Sequence, residues 1–285
     1  MEQKFIDLYE KYADGNINRR EFLKKLAVLA GSTAAAVTLL PLLQKSFVQA
    51  QVVPKDDPRL VIENITYPAH TGQMNAHFAR PKGEKKYPGV IVIHENRGLN
   101  PHTKEVARRV ALEGFLAVAP DALSPLGGTP EDVDEARSKM RELDGEATVK
   151  NFVAAVEYLK TNPQTTGKVG CLGFCWGGRM TNQVAVNSPD LVAAVPFYGS
   201  QPADEDVPKI EASLLCHYGG LDTRINAGIE AFEAALKAAG KEYQSFVYEG
   251  AGHAFFNDTG SRYDKEASLL AWERTIAFLH EKLKT

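Results

Sequence analysis

The chain has 285 residues, of which 44% are hydrophobic and 24% charged, and its formal net charge is -3. This length and composition suit one large α/β domain with a soluble body. Acidic and basic residues are interspersed without a basic stripe, so nucleic acid is excluded as an expected partner. The three cysteines (Cys171, Cys175 and Cys216) cannot all pair, and we interpret Cys171 and Cys216 as small buried apolar residues.

Residues 1–50 have the layout of an export signal. The string NRREFLKKL at 18–26 resembles a twin-arginine signal. The apolar run 26–43 follows it, and Val-Gln-Ala at 48–50 resembles a cleavage point. We therefore expect the export machinery to bind residues 19–43 and the protein to be periplasmic or extracellular.

Two other interpretations of this segment stay open. The run 26–43, about 18 residues, is just long enough for a permanent membrane anchor, which would leave the protein attached through an uncleaved N-terminus. An amphipathic helix packed on the domain would also have this pattern. Residues 51–58 are polar and contain proline, which predicts a linker, and the catalytic domain is expected over 59–285.

From residue 60 onward, strand patterns alternate with helical patterns. The alternating segments 60–67 and 74–80 predict an antiparallel hairpin at the edge of a sheet. Further strands, mostly continuous apolar runs, are predicted at 89–93, 115–119, 168–172, 192–198, 212–217 and 243–248. Helical spacing predicts helices at 103–113, 131–143, 144–160, 177–186, 226–239 and 262–283. The alternation indicates an α/β fold with a mostly parallel central sheet and helices on both faces. In such a sheet, ligands bind beyond the carboxyl ends of the strands.

The stretch KVGCLGFCWGG, from Lys168 to Gly178, has the form of a nucleophile elbow. An apolar strand enters a Gly-x-Cys-x-Gly turn, and a helical pattern follows. This order holds the central residue in strained backbone geometry, so that its side chain projects from the edge of the sheet. The projecting residue is Cys175, which is a nucleophile when it is a thiolate.

Three more polar residues follow predicted strands: Glu95, Asp222 and His253. Taken singly, Asp222 fits an ordinary turn aspartate and His253 fits a solvated loop histidine. However, Cys175, Asp222 and His253 have the chain order of nucleophile, acid and histidine in α/β-hydrolases. We therefore predict a catalytic triad in which Asp222 orients His253 and His253 activates the thiol.

Other site residues are predicted from their place next to these strand ends. The backbone N–H groups of Asn96 and Trp176 are expected to form an oxyanion hole. Arg97, Leu123 and Phe255 are the predicted substrate contacts. No HExxH-like spacing is present, so we expect neither a metal site nor a cofactor.

Four strings together resemble the dienelactone hydrolase family, the carboxymethylenebutenolidases, over about residues 60–283. They are His94-Glu95 with Gly98-Leu99-Asn100, then GFCWGG at 173–178, YGGLD at 218–222 and GAGHAF at 250–255. The resemblance implies the α/β-hydrolase fold and the triad of Cys175, Asp222 and His253. It also implies that Glu95 interacts with the resting thiol, shifts when substrate binds and so primes the thiolate. The alternative for Glu95 is a carboxylate that caps the helix near Pro101.

The sequence differs from the dienelactone-specific members of the family at the positions that bind the substrate carboxylate. Dienelactone-specific members carry two arginines that clamp the substrate carboxylate, and the matching stretches 121–126 and 253–257 hold no arginine. A carboxylate without a bidentate partner binds poorly, so we expect a less charged substrate. The predicted function is a cysteine hydrolase of small esters or lactones that forms a thioacyl intermediate. The alternatives are another acyl hydrolase, a thioesterase or peptidase, on the same triad, and a non-catalytic exported binding protein of this fold.

Overall fold

The computed structural model describes residues 53–283 and, nearer the N-terminus, residues 19–32 with 4, 5, 8, 11, 12 and 17. The strands in these residues are β1 (Leu60–Ala69), β2 (Gly72–Pro81), β3 (Tyr87–Ile93), β4 (Leu116–Pro120), β5 (Thr165–Phe174), β6 (Leu191–Phe197), β7 (Ser213–Gly219) and β8 (Tyr243–Tyr248). They form one sheet in the order β1-β2-β4-β3-β5-β6-β7-β8. β2 pairs antiparallel with β1 and β4, and the other neighbours are parallel. The predicted edge hairpin and mostly parallel sheet are confirmed.

The helices in the described residues are α1 (Arg19–Ala30), α2 (Pro101–Leu112), α3 (Val133–Glu142), α4 (Gly145–Thr161), α5 (Trp176–Asn187), α6 (Thr223–Asn226), α7 (Ile229–Ala238) and α8 (Lys265–Leu283). The helix predicted from about 226 to 239 corresponds to α7, which begins three residues later, and the short helix α6 before it was not predicted. The side chain of Asn226 turns back and donates to the carbonyl of Gly219 at 2.9 Å, which ends α6 beside β7.

The core lies in two layers, one on each face of the sheet. In β5, Cys171 belongs to the layer under α4, α5 and α7, and the next residue, Leu172, belongs to the layer under α2 and α8. Successive side chains of a strand point to opposite faces, so an apolar run with no polar break is buried on both sides. This explains why β3 is a continuous apolar run and why β5 is one from Val169 onward. Because β3 and β5 pair in parallel, their carboxyl ends lie at one edge of the sheet.

The described part of the N-terminal segment packs on itself and touches the domain at α3. Phe22 and Leu26 of α1 are buried in a small cluster with three residues nearer the N-terminus, among them Tyr12. The Tyr12 hydroxyl donates to Asp134, and its carbonyl oxygen accepts from Arg137 at 2.9 Å. Within the described residues, no helix is long and apolar enough to cross a bilayer. Most of the predicted apolar run and the predicted cleavage point lie outside the described residues.

Candidate active site

Cys175 lies at the sharp turn between β5 and α5, with φ 57° and ψ -113°. A side chain in this left-handed region is strained, and such strain is typical of functional turns. The turn also needs glycine beside it. A Cβ atom on Gly177 would lie 2.5 Å from the carbonyl oxygens of Ile93 and His94, so only glycine lets α5 begin this close to β3. The thiol is thereby held at the N-terminal end of α5.

The structure brings the three predicted triad residues into hydrogen-bond contact. His253 Nε2 lies 3.0 Å from the Cys175 sulfur, and His253 Nδ1 lies 2.5 Å from Asp222 Oδ2. Asp222 follows β7 and His253 follows β8. These two loops pack tightly, because a Cβ atom on Gly219 would lie 2.5 Å from the carbonyl oxygen of Gly252. The thiol, the imidazole and the carboxylate are therefore connected by two successive hydrogen bonds.

The charges around His253 favour its protonated imidazolium form. Burial on its own would lower the pKa of His253. However, the hydrogen bonds to Asp222 and Cys175, with their negative charges, raise it from 6.5 to about 9. Burial would likewise raise the pKa of Asp222, but the hydrogen bond and the charge of His253 hold it below its usual value. Each partner thus stabilises the ionised form of the other.

The other two cysteines are in different surroundings. Cys171 and Cys216 are almost completely buried, and burial raises the pKa of each thiol to about 12. A thiol that stays protonated is a poor nucleophile. The prediction that these two are small buried residues is confirmed, and Cys175 is the cysteine with an imidazole at its sulfur.

Glu95 is buried at the end of β3, where Asn257 Nδ2 donates to its Oε2 at 2.8 Å. The alternative that Glu95 caps α2 is wrong. Asn100 caps that helix, because its Oδ1 accepts from the Thr103 N–H at 3.0 Å. Asn257, which lies in the predicted site loop but had no predicted role, therefore proves to be the partner of Glu95.

The histidine before Glu95 fixes the loop that carries it. The N–H of Ala122 donates to His94 Nε2 at 3.1 Å, so the ring proton is on Nδ1, which donates to the Glu95 carbonyl at 2.6 Å. The ring also stacks on Trp176 at a centroid distance of 5.4 Å. This buried histidine therefore joins the loop after β3 to the elbow, a role that the sequence did not indicate.

The two predicted oxyanion donors lie on either side of this junction. Trp176 is the first residue of α5, and Asn96 follows Glu95. Among the loop and cap hydrogen bonds of residues 53–283, none uses the N–H of Asn96 or Trp176. A hydrogen bond to Thr129 also holds the loop after β3, because the Thr129 hydroxyl accepts from the Leu99 N–H at 2.8 Å.

The predicted substrate contacts are not brought together at an open surface. Leu123 and Phe255 are both 0% exposed. Leu123 packs in a small cluster with α3 and Trp176, and the Phe255 ring packs on Tyr198 at 5.4 Å. In this conformation both belong to the core, whereas Arg97 is half-buried in the loop after β3. Within the described part of the chain, no cluster of metal-ligating side chains forms.

The sheet order and the cluster at its carboxyl edge define an α/β-hydrolase. The model of the dienelactone hydrolase family matches residues 74–283. A candidate carboxymethylenebutenolidase of Escherichia coli O157:H7 is 31% identical, over 81% of this chain and 90% of that protein. A second, from Saccharolobus solfataricus, is 32% identical over 78% and 99%.

The chain therefore belongs to the dienelactone hydrolase family, whose members are hydrolases acting on ester or lactone bonds. A solved structure gives the same result. A dienelactone hydrolase-like promiscuous phosphotriesterase from metagenomic libraries has a TM-score of 0.71 and 25% identity. The match covers 79% of this chain and 99% of that one.

Proposed function

We propose that this hydrolase cleaves esters or lactones with Cys175 as nucleophile, His253 as base and acid, and Asp222 as the group that orients His253. The observation that carries the proposal is the position of His253, whose two ring nitrogens contact Cys175 and Asp222 at 3.0 and 2.5 Å. Because Nδ1 faces a carboxylate, Nε2 is free of its proton in the neutral ring and can take the thiol proton.

The reaction has two half-steps. In the first, His253 takes the proton of Cys175, and the thiolate attacks the carbonyl carbon of the substrate. The N–H groups of Asn96 and Trp176 stabilise the oxyanion that forms. The tetrahedral intermediate then collapses, His253 protonates the departing alkoxide, and the acyl group stays on sulfur as a thioester.

In the second half-step, His253 removes a proton from water, and the hydroxide attacks the thioester carbonyl. Collapse of this intermediate expels the thiolate, which recovers its partner imidazolium, and the acid leaves. The raised pKa of His253, about 9, supports the first half-step because it favours the imidazolium that forms when His253 takes the thiol proton. We also propose that Glu95 interacts with the resting thiol and that a substrate-induced shift of Glu95 primes the thiolate.

The test compares Cys175→Ala with Cys171→Ala, a matched change at a buried cysteine of β5, the strand that leads to Cys175. Substrates are p-nitrophenyl butyrate, a lactone, an acyl thioester, an acyl peptide and a neutral phosphotriester. We expect Cys175→Ala to lose at least about 10³-fold in kcat/KM and Cys171→Ala to keep its activity. Mass spectrometry of the quenched wild type should find the acyl group on Cys175.

Each outcome separates the candidate functions. Turnover that survives in Cys175→Ala would refute the nucleophile. Preference for the thioester or the peptide would favour the alternative acyl hydrolases. No turnover of any substrate by the wild type would favour a non-catalytic binding protein.

We further propose that the N-terminal segment directs export. The support is the layout of residues 18–50, with an arginine pair, an apolar run and a small-residue ending. The mass of the protein from its native host decides the matter. Loss of about the first 50 residues supports export with cleavage, whereas an intact N-terminus in a membrane fraction supports the anchor.

A further inference from the structure

A neutral group holds the carboxylate of Glu95. The Asn257 amide donates to it at 2.8 Å, and both side chains are buried. The ion pairs that the described residues form around this loop use Asp258, Glu105 and Asp222 as acids, and Glu95 takes part in none of them. An amide offers a hydrogen bond without a compensating positive charge. The negative charge of Glu95 is therefore solvated by a donor but not neutralised by it.

The orientation of the Asn257 amide is fixed. Its Oδ1 accepts from both the N–H and the hydroxyl of Thr259, at 3.1 and 2.6 Å. The NH₂ group must then face Glu95, so this contact does not depend on an arbitrary choice between oxygen and nitrogen. The next residue, Asp258, pairs with Arg109, which anchors the loop to α2.

The same loop holds the catalytic imidazole. His253 contacts Cys175, and four residues later Asn257 contacts Glu95. The N–H of Asn257 donates to the carbonyl of Ala254 at 3.0 Å, which closes a turn between the two contacts. One short turn therefore sets the position of the carboxylate relative to the thiol.

Glu95 and Cys175 lie at neighbouring strand ends, because Ile93 of β3 pairs with Gly173 of β5 and each of the two residues follows its paired position by two. Burial raises the pKa of the Tyr198 phenol well above its usual value. The charges of Glu95 and then Cys175 raise it further, and Arg262 has a smaller opposite effect. The Tyr198 ring packs on His253 at a centroid distance of 5.0 Å. Glu95 Oε1 and the Tyr198 hydroxyl are both buried, and neither makes a hydrogen bond of ordinary geometry with a described residue. Contact with Glu95 nevertheless also raises the pKa of the Tyr198 phenol. The carboxylate of Glu95 therefore lies at the same edge of the sheet as the thiol of Cys175.

We propose that Asn257 is a positioning residue that holds Glu95 as an unneutralised carboxylate beside Cys175, and that this charge restricts the site to acyl groups without a carboxylate. Two negative charges repel more strongly in a buried site than in water, because the effective dielectric constant is lower. An acyl group with its own carboxylate is therefore rejected, and esters or lactones of uncharged acids are accepted. This inference rests on the proposed function of Cys175.

The experiment compares two esters of equal acyl chain length, p-nitrophenyl butyrate and the half p-nitrophenyl ester of succinic acid, after subtraction of the uncatalysed rates. The wild type is expected to prefer butyrate at least tenfold in kcat/KM, because like charges in an interface are strongly disfavoured. Glu95→Gln removes the charge and retains an acceptor for Asn257. It should reduce that preference at least tenfold.

A double-mutant cycle tests the positioning role of Asn257. Asn257→Ala should lower kcat/KM for butyrate about tenfold, in the range of a lost hydrogen bond to a charged group, and should have little further effect on Glu95→Gln. Asn187→Ala removes an exposed amide at the end of α5 and serves as the matched control. If Asn257→Ala lowers kcat/KM equally in the wild type and in the Glu95→Gln variant, Asn257 supports only the fold.

The failures can be told apart. The ratio of kcat/KM for the butyrate ester to that for the succinate half ester decides the charge restriction. A wild-type ratio near one, or a ratio that Glu95→Gln leaves unchanged, overturns it whichever residue is the nucleophile. The Glu95→Gln comparison still decides if Asn257→Ala does not fold. Turnover in Cys175→Ala refutes only the nucleophile, because the ratio between the two esters can still be measured.

Discussion

Replacing Asp222 with asparagine is expected to lower the pKa of His253 from about 9. Burial by itself lowers this pKa, and the hydrogen bond to Asp222 is the first of the contributions that raise it. Asparagine keeps the shape of the side chain and removes its charge. A fall of this pKa to the ordinary 6.5 corresponds to a loss of about 3 kcal/mol in the stabilisation of the imidazolium. At pH 7.5 the imidazolium fraction would then fall from about 97% to about 9%, which is about tenfold.

The assay is an NMR titration of the imidazole C–H signals, with His253→Gln to assign the resonance. Burial lowers the pKa of His77 to about 4 and that of His217 to about 3, so neither overlaps the range of interest. Asp190→Asn, which breaks an exposed ion pair with Lys160, is the matched control and should leave the titration unchanged.

Two measurements on the Asp222→Asn variant should agree. The imidazole should titrate near or below 6.5, and Cys175 should react about tenfold more slowly with iodoacetamide at pH 7.5. The reasoning is refuted if His253 still titrates near 9, because the carboxylate would then not be the cause of the raised pKa.

Two further predictions concern stability. Gly177→Ala places a methyl group 2.5 Å from two carbonyl oxygens of the chain at the end of β3. Urea unfolding should show a loss of about 1–3 kcal/mol or more. Gly145→Ala, which has open space around it, should show no such loss, and equal losses in both would contradict the argument. The second prediction concerns His253, whose pKa is raised on folding from 6.5 to about 9. The raised pKa of His253 adds about 3 kcal/mol to the free energy of unfolding. This contribution is fully present below pH 6.5 and is lost as the pH rises through 9. The difference in unfolding free energy between wild type and His253→Gln should shrink from pH 6 to pH 9.5, and a constant difference would speak against it.

Periodicity predicted most of the fold because it records burial directly. The strand at 243–248 was predicted with the bounds that β8 has, and the run 89–93 lies within β3. The run in β3 reflects a strand buried on both faces, which is a local property of the sequence. Element ends depend on contacts from elsewhere. The helix predicted to begin at about 226 begins at Ile229, because Asn226 belongs to α6 and its side chain donates to the carbonyl of Gly219 at the end of β7.

The candidate triad was also predictable, for a topological reason. In a parallel sheet the carboxyl ends of the strands meet at one edge, so polar residues just after β5, β7 and β8 come together. Cys175 could be singled out because the elbow needs glycine at fixed positions around it, and Gly177 does lie against the end of β3. Asp222 and His253 followed from their order along the chain.

The sequence alone therefore determined the sheet, the elbow and the order of the three candidate triad residues, because these depend on local periodicity and on the rule that strand ends converge. Only the tertiary structure decided which groups surround them. Asn257 meets Glu95 across 162 positions of the chain, and nothing in the local pattern of either residue encodes that contact. Leu123 and Phe255 were assigned to a substrate surface, but packing buries both completely. Contacts of this kind arise from close packing between distant segments, which sequence periodicity does not record.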